Sequence, residues 1–200
     1  MLDLSDYPKK LPLRDGSEAT VRPLELGDEL KLMEFMSSIP YDESVYFRDD
    51  VRNPKVIEKW ARHIDLERVM PLIALDGEKI IAEWTLHVNQ HGWTRHHADI
   101  RGFVTPKYRG RGLATRMVKE LLAVAGQLDV ERVIIELVEP QQELLKRYQR
   151  IGFKVETVLK DWVKDLKGRL NDMYLLSMQL EPAWKKMESL VMEYEFRHHG

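Results

Sequence analysis

Two hundred residues, 44% of them hydrophobic and 32% charged, describe a soluble globular chain of one domain with at most a short appendage. A net charge of −2, from 31 basic and 33 acidic residues, removes the general electrostatic case for a nucleic-acid binder, and the lack of cysteine excludes disulfides, thiolate zinc sites and a cysteine nucleophile. The N-terminus carries acid early and no apolar run, and no stretch of about 18 apolar residues occurs, so the expectation is a cytoplasmic protein with no signal peptide and no membrane span.

In chain order, residues 17–24 alternate Ala19 and Val21 against polar neighbours, the period of a first strand. Gly27-Asp28 opens a helix with the apolar stripe Leu30, Met33, Phe35 and Met36, stopped by Pro40. A second helix is expected over 54–66. Asn53 suits its cap, Pro54 its first turn, and Val56, Ile57, Trp60, Ala61 and Ile64 its buried face. Pro71–Leu75 runs into Asp76-Gly77, a hairpin signal, and 79–88 is the return strand. A third strand, 98–105, ends at Pro106. Gly112–Leu128 has the strongest helical pattern, with Leu113, Met117, Leu121, Leu122, Ala125 and Leu128 on one face. A β-branched strand follows at 132–138, then a helix over 141–151 closed by Gly152, then strands near 154–163 and 172–180. Residues 181–196 form a tail helix with Trp184, Met187, Leu190, Val191 and Tyr194 as its stripe. Antiparallel hairpins around one βαβ crossover make the fold class α+β with a mixed, mostly antiparallel sheet.

Chemistry concentrates between Phe103 and Thr115. A strand ends, Arg109-Gly110-Arg111-Gly112 turns, and the longest helix begins at Leu113-Ala114-Thr115. Glycines let backbone approach a ligand closely, and the free amides of a helix start attract anions, so a phosphate or pyrophosphate is the natural ligand. Read without a ligand, the glycines make a turn and the arginines are solvated. Physics alone does not choose between the two. The dinucleotide fingerprint fails because Thr115 stands where its third glycine belongs, and the nucleotide-triphosphate loop fails for want of Gly-Lys-Ser/Thr.

The stretch Arg109-Gly110-Arg111-Gly112-Leu113-Ala114 resembles the Arg/Gln-x-x-Gly-x-Gly/Ala signature of the GNAT superfamily of acyl-CoA-dependent N-acetyltransferases. Val104-Thr105-Pro106 before it, Tyr148-Gln149-Arg150-Ile151-Gly152-Phe153 after it, and Asp172–Leu180 at the end fit the same family, and the likeness covers roughly residues 17–180. It implies a GNAT-like domain over 1–180 with a tail over 181–200. The strands 98–105 and 132–138 are expected to splay, with acetyl-CoA as cosubstrate in the gap. Its pantetheine arm would run near Phe103 and Val104, and its pyrophosphate would lie on residues 109–115. An amine would attack directly, with no enzyme nucleophile and no metal. Tyr148 matches the family's thiolate-protonating tyrosine; its plainer reading is a half-buried aromatic beside Leu144 and Leu145. Asp99 lies where many members carry a basic Glu, with Glu83 and Glu136 as rivals and a base-free water chain also open. Gln141 or Gln142 stands near the place of an asparagine that many members carry.

Ile39–Arg48 is similar to the segment between the first two helices of bacterial protein-lysine acetyltransferases, which marks Tyr41, Tyr46 and Arg48 as candidate acceptor contacts. The acceptor is then an amine, of a small molecule or a protein lysine, with no nucleic acid and no membrane as partner, and a homodimer is open. The other function class is a domain that binds acyl-CoA as a sensor without turnover. His87, His91, His96 and His97 read as a solvated hairpin tip rather than a metal site, and Trp60, Trp84, Trp93, Trp162 and Trp184 as core or lid residues.

Overall fold

The computed structural model describes residues 2–181 apart from 63 and 67. The tail helix expected beyond 181, with Trp184 and the rest of its stripe, lies outside the described residues. The elements are β1 (Lys9–Pro12), β2 (Glu18–Pro23), α1 (Glu29–Ser37), α2 (Tyr41–Ser44), α3 (Pro54–Arg62), β3 (Val69–Asp76), β4 (Lys79–Val88), β5 (His97–Val104), α4 (Leu113–Gln127), β6 (Arg132–Val138), α5 (Leu145–Arg150), β7 (Lys154–Lys164) and β8 (Leu170–Gln179). One eight-stranded sheet holds all the strands among the described residues, in the order β1-β2-β3-β4-β5-β6-β8-β7. Every neighbouring pair is antiparallel except β5 and β6, which α4 joins as a crossover. The fold class is the expected one.

The parallel pair sets the site. Its ladder holds only His97↔Arg132, Ala98↔Val133 and Asp99↔Ile134. Beyond Asp99 and Ile134 both strands continue without pairing, so Gly102 is exposed in mid-strand. Backbone groups of successive residues point to opposite edges of a strand. The carbonyl of His97 accepts from Asn89 N–H and Thr105 N–H donates to Ile81 on the β4 side. Odd-numbered residues of β5 therefore bond β4, and Gly102 and Val104 face the gap. Likewise Arg132 N–H donates to His96, so Glu136 and Val138 face the gap from β6.

Two apolar layers cover the sheet. On one face α4 buries Leu113, Met117, Val118, Leu121, Val124 and Ala125 against Val21, Leu72, Trp84, Leu86, Ile100 and Val133. On the other, α1 and α3 bury Leu32, Phe35, Met36, Ile57 and Ala61 against Ile73, Ile80 and Phe103. Each fully buried large aliphatic contributes about 1.5–3 kcal/mol, so these layers fix the sheet from both faces.

Several local expectations change. Strand β1 and the short helix α2 are additional. Asp15-Gly16 turns the β1–β2 hairpin, with Gly16 at φ 84°. Helix α1 faces inward through Leu32, Phe35 and Met36, and Leu30 is 79% exposed, because the helix starts at Glu29 and Leu30 falls on its outer side. Helix α3 ends at Arg62, not at 66. Trp162 is no core residue. It lies on the edge strand β7 and is 64% exposed. His87 is not part of a solvated tip but sits within β4, half-buried, its ring Nε2 3.0 Å from Thr85 Oγ1.

Candidate active site

The turn before α4 takes its shape from two glycines in the left-handed region, Gly110 at φ 79° and Gly112 at φ 84°, where a side chain would be strained. Gly112 caps α4, so the amides of Leu113, Ala114 and Thr115 have no helical carbonyl to meet. The turn is braced from below, where Tyr108 hydroxyl donates to Asp76 at 2.6 Å. It is braced from the side by the β1–β2 hairpin. Arg14 N–H donates to Arg111 carbonyl at 3.0 Å, and Arg111 pairs with Asp15 at 2.8 Å. The Arg14 side chain lies across Gly112, where an added Cβ would stand 3.3 Å from its Nε. Arg14 is therefore a cation at the helix start that motif reading missed. The Asp15-Gly16 turn pair was the signal for the hairpin that carries it.

Arg109, expected at the anion site, is turned elsewhere. Its Nε donates to Val104 carbonyl at 3.1 Å, its two terminal nitrogens meet Glu43 at 3.1 and 2.7 Å, and its guanidinium stacks on Phe103 at 4.9 Å. Arg111 covers Tyr108 at 4.8 Å. Across the gap, Gln141 Oε1 accepts Val138 N–H at 3.3 Å. Each wall of the gap thus has one backbone group satisfied by a side chain in place of a strand. Trp84 closes the floor. Its ring lies so close to Gly102 that a Cβ there would stand 2.2 Å from Cδ2, and its indole N–H is buried with no acceptor among the described residues.

The α1–α3 side of the gap is polar. Glu83 pairs in register with Phe103, one residue from Val104, and is 8% exposed. Burial alone raises its pKa to about 8. Asp99 lies at the closed end of the gap, opposite His87, with Arg101 Nη2 at 3.5 Å. Burial raises its pKa against the pull of Arg101 and Arg48. Burial, then Arg101 and Arg48, lower His87 to about 4, so it is neutral near pH 7. From the segment after α2, Arg48 reaches Glu136 on β6 at 2.6 Å, and Phe47 packs on Phe103 at 6.0 Å. The Tyr46 phenol is raised by burial and by Asp165 of the β7–β8 hairpin. Tyr41 points to solvent with Arg52 4.9 Å over its ring.

Tyr148 of α5 packs in the α4-side core, 5.8 Å edge-on to Phe153. Burial raises its phenol well above the ordinary value, so it stays protonated at any working pH. The end of α5 is turned by Gly152 at φ 109°, as the sequence suggested. Among the described residues no group of three or more metal-ligating side chains occurs, and no helix is long and apolar enough to cross a membrane.

The profile of the acetyltransferase (GNAT) family matches residues 33–153, more than half of the chain. No curated protein matches the sequence. Among solved structures, the GNAT domain of S. lividans PAT superposes with a TM-score of 0.70 at 23% identity, over 86% of this chain and 96% of that one. An acetyltransferase of the GNAT family from Streptococcus pneumoniae gives 0.69 at 19% identity, over 82% and 100%. The Salmonella typhimurium protein yncA, solved with its cofactor acetyl-CoA, gives 0.70 at 16% identity, over 82% and 95%. At these identities the superpositions carry the fold, while the profile spans the gap, the glycine turn and α5. On that match the chain belongs to the acetyltransferase (GNAT) family.

Proposed function

We propose that this protein transfers an acetyl group from acetyl-CoA to a primary amine that attacks directly. The observation that carries the reading is the unpaired stretch of β5 and β6. It presents backbone amides and carbonyls to an open gap beside a helix start with free amides. An arm rich in amides that ends in phosphates satisfies both, and the orphaned Trp84 N–H is a further donor beside the gap. Acetyl-CoA, when bound, supplies an activated thioester carbonyl.

The roles of this chain's residues follow from chemistry. The amides of Gly110, Arg111, Gly112, Leu113, Ala114 and Thr115 would hold phosphate, aided by the helix dipole, whereas the Arg109 N–H, expected among them, is already given to the Pro106 carbonyl. Phe103, Val104 and Gln141 would line the arm, with Val104 N–H donating where negative charge grows on a carbonyl oxygen. Tyr148, kept protonated by burial, would give its proton to the departing sulfur. Glu83 would take the proton from the incoming ammonium. What supports Glu83 over Asp99 is register. Glu83 sits beside Phe103 and Val104, whereas Asp99 is five residues away, about 17 Å along the strand. A value near 8 also suits a base working close to neutrality. Tyr46 and Arg48 would contact the acceptor, a small amine or a protein lysine. Tyr41, turned out to Arg52, would do so only at the rim.

Calorimetric titration with acetyl-CoA tests the reading, with 3′,5′-ADP as the phosphate-only control. Micromolar affinity is expected. Gly112→Trp should weaken it by at least about 100-fold, because the side chain fills the phosphate turn at a positive φ. Tyr148→Phe should keep the affinity and lower turnover about 100-fold. Folded protein that ignores millimolar acetyl-CoA sinks the proposal. Tight binding with no turnover on any amine or lysine peptide returns the sensor reading.

A further inference from the structure

We propose that Glu43 is a positioning residue. It holds Arg109 across the open end of the β5–β6 gap, so that the pantetheine arm enters only as Arg109 is released. The inference rests on the acetyl-CoA reading above and assigns a device to the same gap.

Arg109 is the first residue after the turn Pro106–Tyr108, and an anion site of free amides begins a few residues on. Three contacts draw it the other way. Glu43 clamps both terminal nitrogens, the Phe103 ring carries the guanidinium, and the Val104 carbonyl takes Nε. A two-pronged carboxylate clamp fixes the guanidinium plane as a single contact would not. The Val104 carbonyl faces the gap and has no strand to pair with, so Arg109 occupies the group an incoming amide arm would use. Gln141 does the same for Val138 N–H on the other wall, but from within its own chain segment and without charge. Of these two contacts on unpaired backbone groups, Arg109's alone brings in a distant element.

That element is α2, which leads into Tyr46, Phe47 and Arg48. Phe47 packs on the Phe103 ring that Arg109 stacks on, and Arg48 is anchored on β6. Release of Arg109 from Val104 therefore removes one of the ties that hold the acceptor segment against the sheet. Donor entry is thereby coupled to loosening of the acceptor side.

The test titrates wild type, Glu43→Gln and Glu43→Ala with acetyl-CoA and with 3′,5′-ADP. Both variants should bind acetyl-CoA about fivefold more tightly, the scale of one partly exposed ion pair. Their affinity for 3′,5′-ADP, which has no arm to compete with Arg109, should change by about twofold or less. Equal tightening for both ligands would mean that a negative charge near a polyanion had simply been removed, and would overturn the proposal. Unchanged or weaker acetyl-CoA binding in the variants, with wild type binding normally, would overturn it while leaving the donor reading standing. A wild type that binds neither ligand removes both.

Discussion

On the α4 side of the gap, the features proposed to meet a donor are mostly backbone: amides of a helix start, two glycines at positive φ, and strand edges left unpaired. On the α1–α3 side they are side chains, Arg48, Glu83, His87, Asp99, Arg101 and Glu136, drawn from a loop and three strands. A phosphate arm is common to every reaction of a donor, so a fixed backbone cradle suffices for it. An acceptor differs from enzyme to enzyme, and side chains change without disturbing the sheet. The two sides also differ electrically. The glycine turn carries Lys107 and Arg111, with Arg14 of the β1–β2 hairpin laid across it. Across the sheet, cations and carboxylates lie paired within a half-buried layer where charge is costly.

The largest expected effect comes from striking the wall that both sides share. Gly102→Ala puts a Cβ 2.2 Å from the Trp84 ring and 2.6 Å from the Glu83 carbonyl. The carbonyl belongs to the sheet and cannot yield, and Trp84 is buried. Overpacking of this kind should cost about 3 kcal/mol, which lowers Tm by about 6–12 °C in a chain of this size. Adding Trp84→Leu should recover part of the loss. A Gly102→Ala protein with unchanged Tm would show that the strands part more freely than this packing allows.

Glu83→Gln strikes the acceptor side alone. Turnover should fall about 100-fold with acetyl-CoA affinity kept, while Asp99→Asn stays within about threefold of wild type. The reverse order would move the base to Asp99. Stability gives an independent reading. The native value near 8 stands above the ordinary 4.5, so between those pH values the folded state holds a proton that the unfolded chain has released. Wild type therefore keeps its full stability below about pH 4.5 and loses part of it as pH rises to about 8, where the buried carboxyl is forced to ionise, with a slope of at most about 1.4 kcal/mol per unit. Gln cannot ionise, so the variant should melt higher than wild type at pH 8 and close to it at pH 5. Thermal melts across that range check the sign.

The same contrast explains what the sequence made legible. The glycine turn, the helix α4 and the closing Gly152 are local, because each residue's task is set by neighbours within a few positions. The βαβ crossover followed from periodicity. The acceptor layer did not, since Glu83 and Phe103 meet only through register, and a raised carboxyl depends on burial that no spacing encodes. Arg109 shows the limit most clearly. Its position in the motif suggested phosphate, yet its side chain follows Glu43, a residue 66 positions away. Gly102 left a signal in plain view, a glycine inside a strand, which marks a close approach of another group.

The smallest effect tests the donor side without touching its backbone. Arg14 anchors the hairpin on the turn through its own N–H to Arg111, and Asp15 through its carboxylate. Arg14→Ala keeps both anchors, so stability should change by no more than about 0.5 kcal/mol. What it removes is a cation that lies over Gly112 with no ion pair among the described residues. An exposed charge of this kind is worth about threefold in acetyl-CoA affinity, and Arg14→Lys should restore most of it. Comparing acetyl-CoA with its 3′-dephospho form then locates the contact. If the loss disappears with the dephospho donor, Arg14 meets the 3′-phosphate. If it persists, Arg14 meets the pyrophosphate at the helix start, and the β1–β2 hairpin is part of the phosphate site. If Arg14→Ala binds both forms as wild type does, the donor side is a cradle of backbone alone, and the hairpin only braces it.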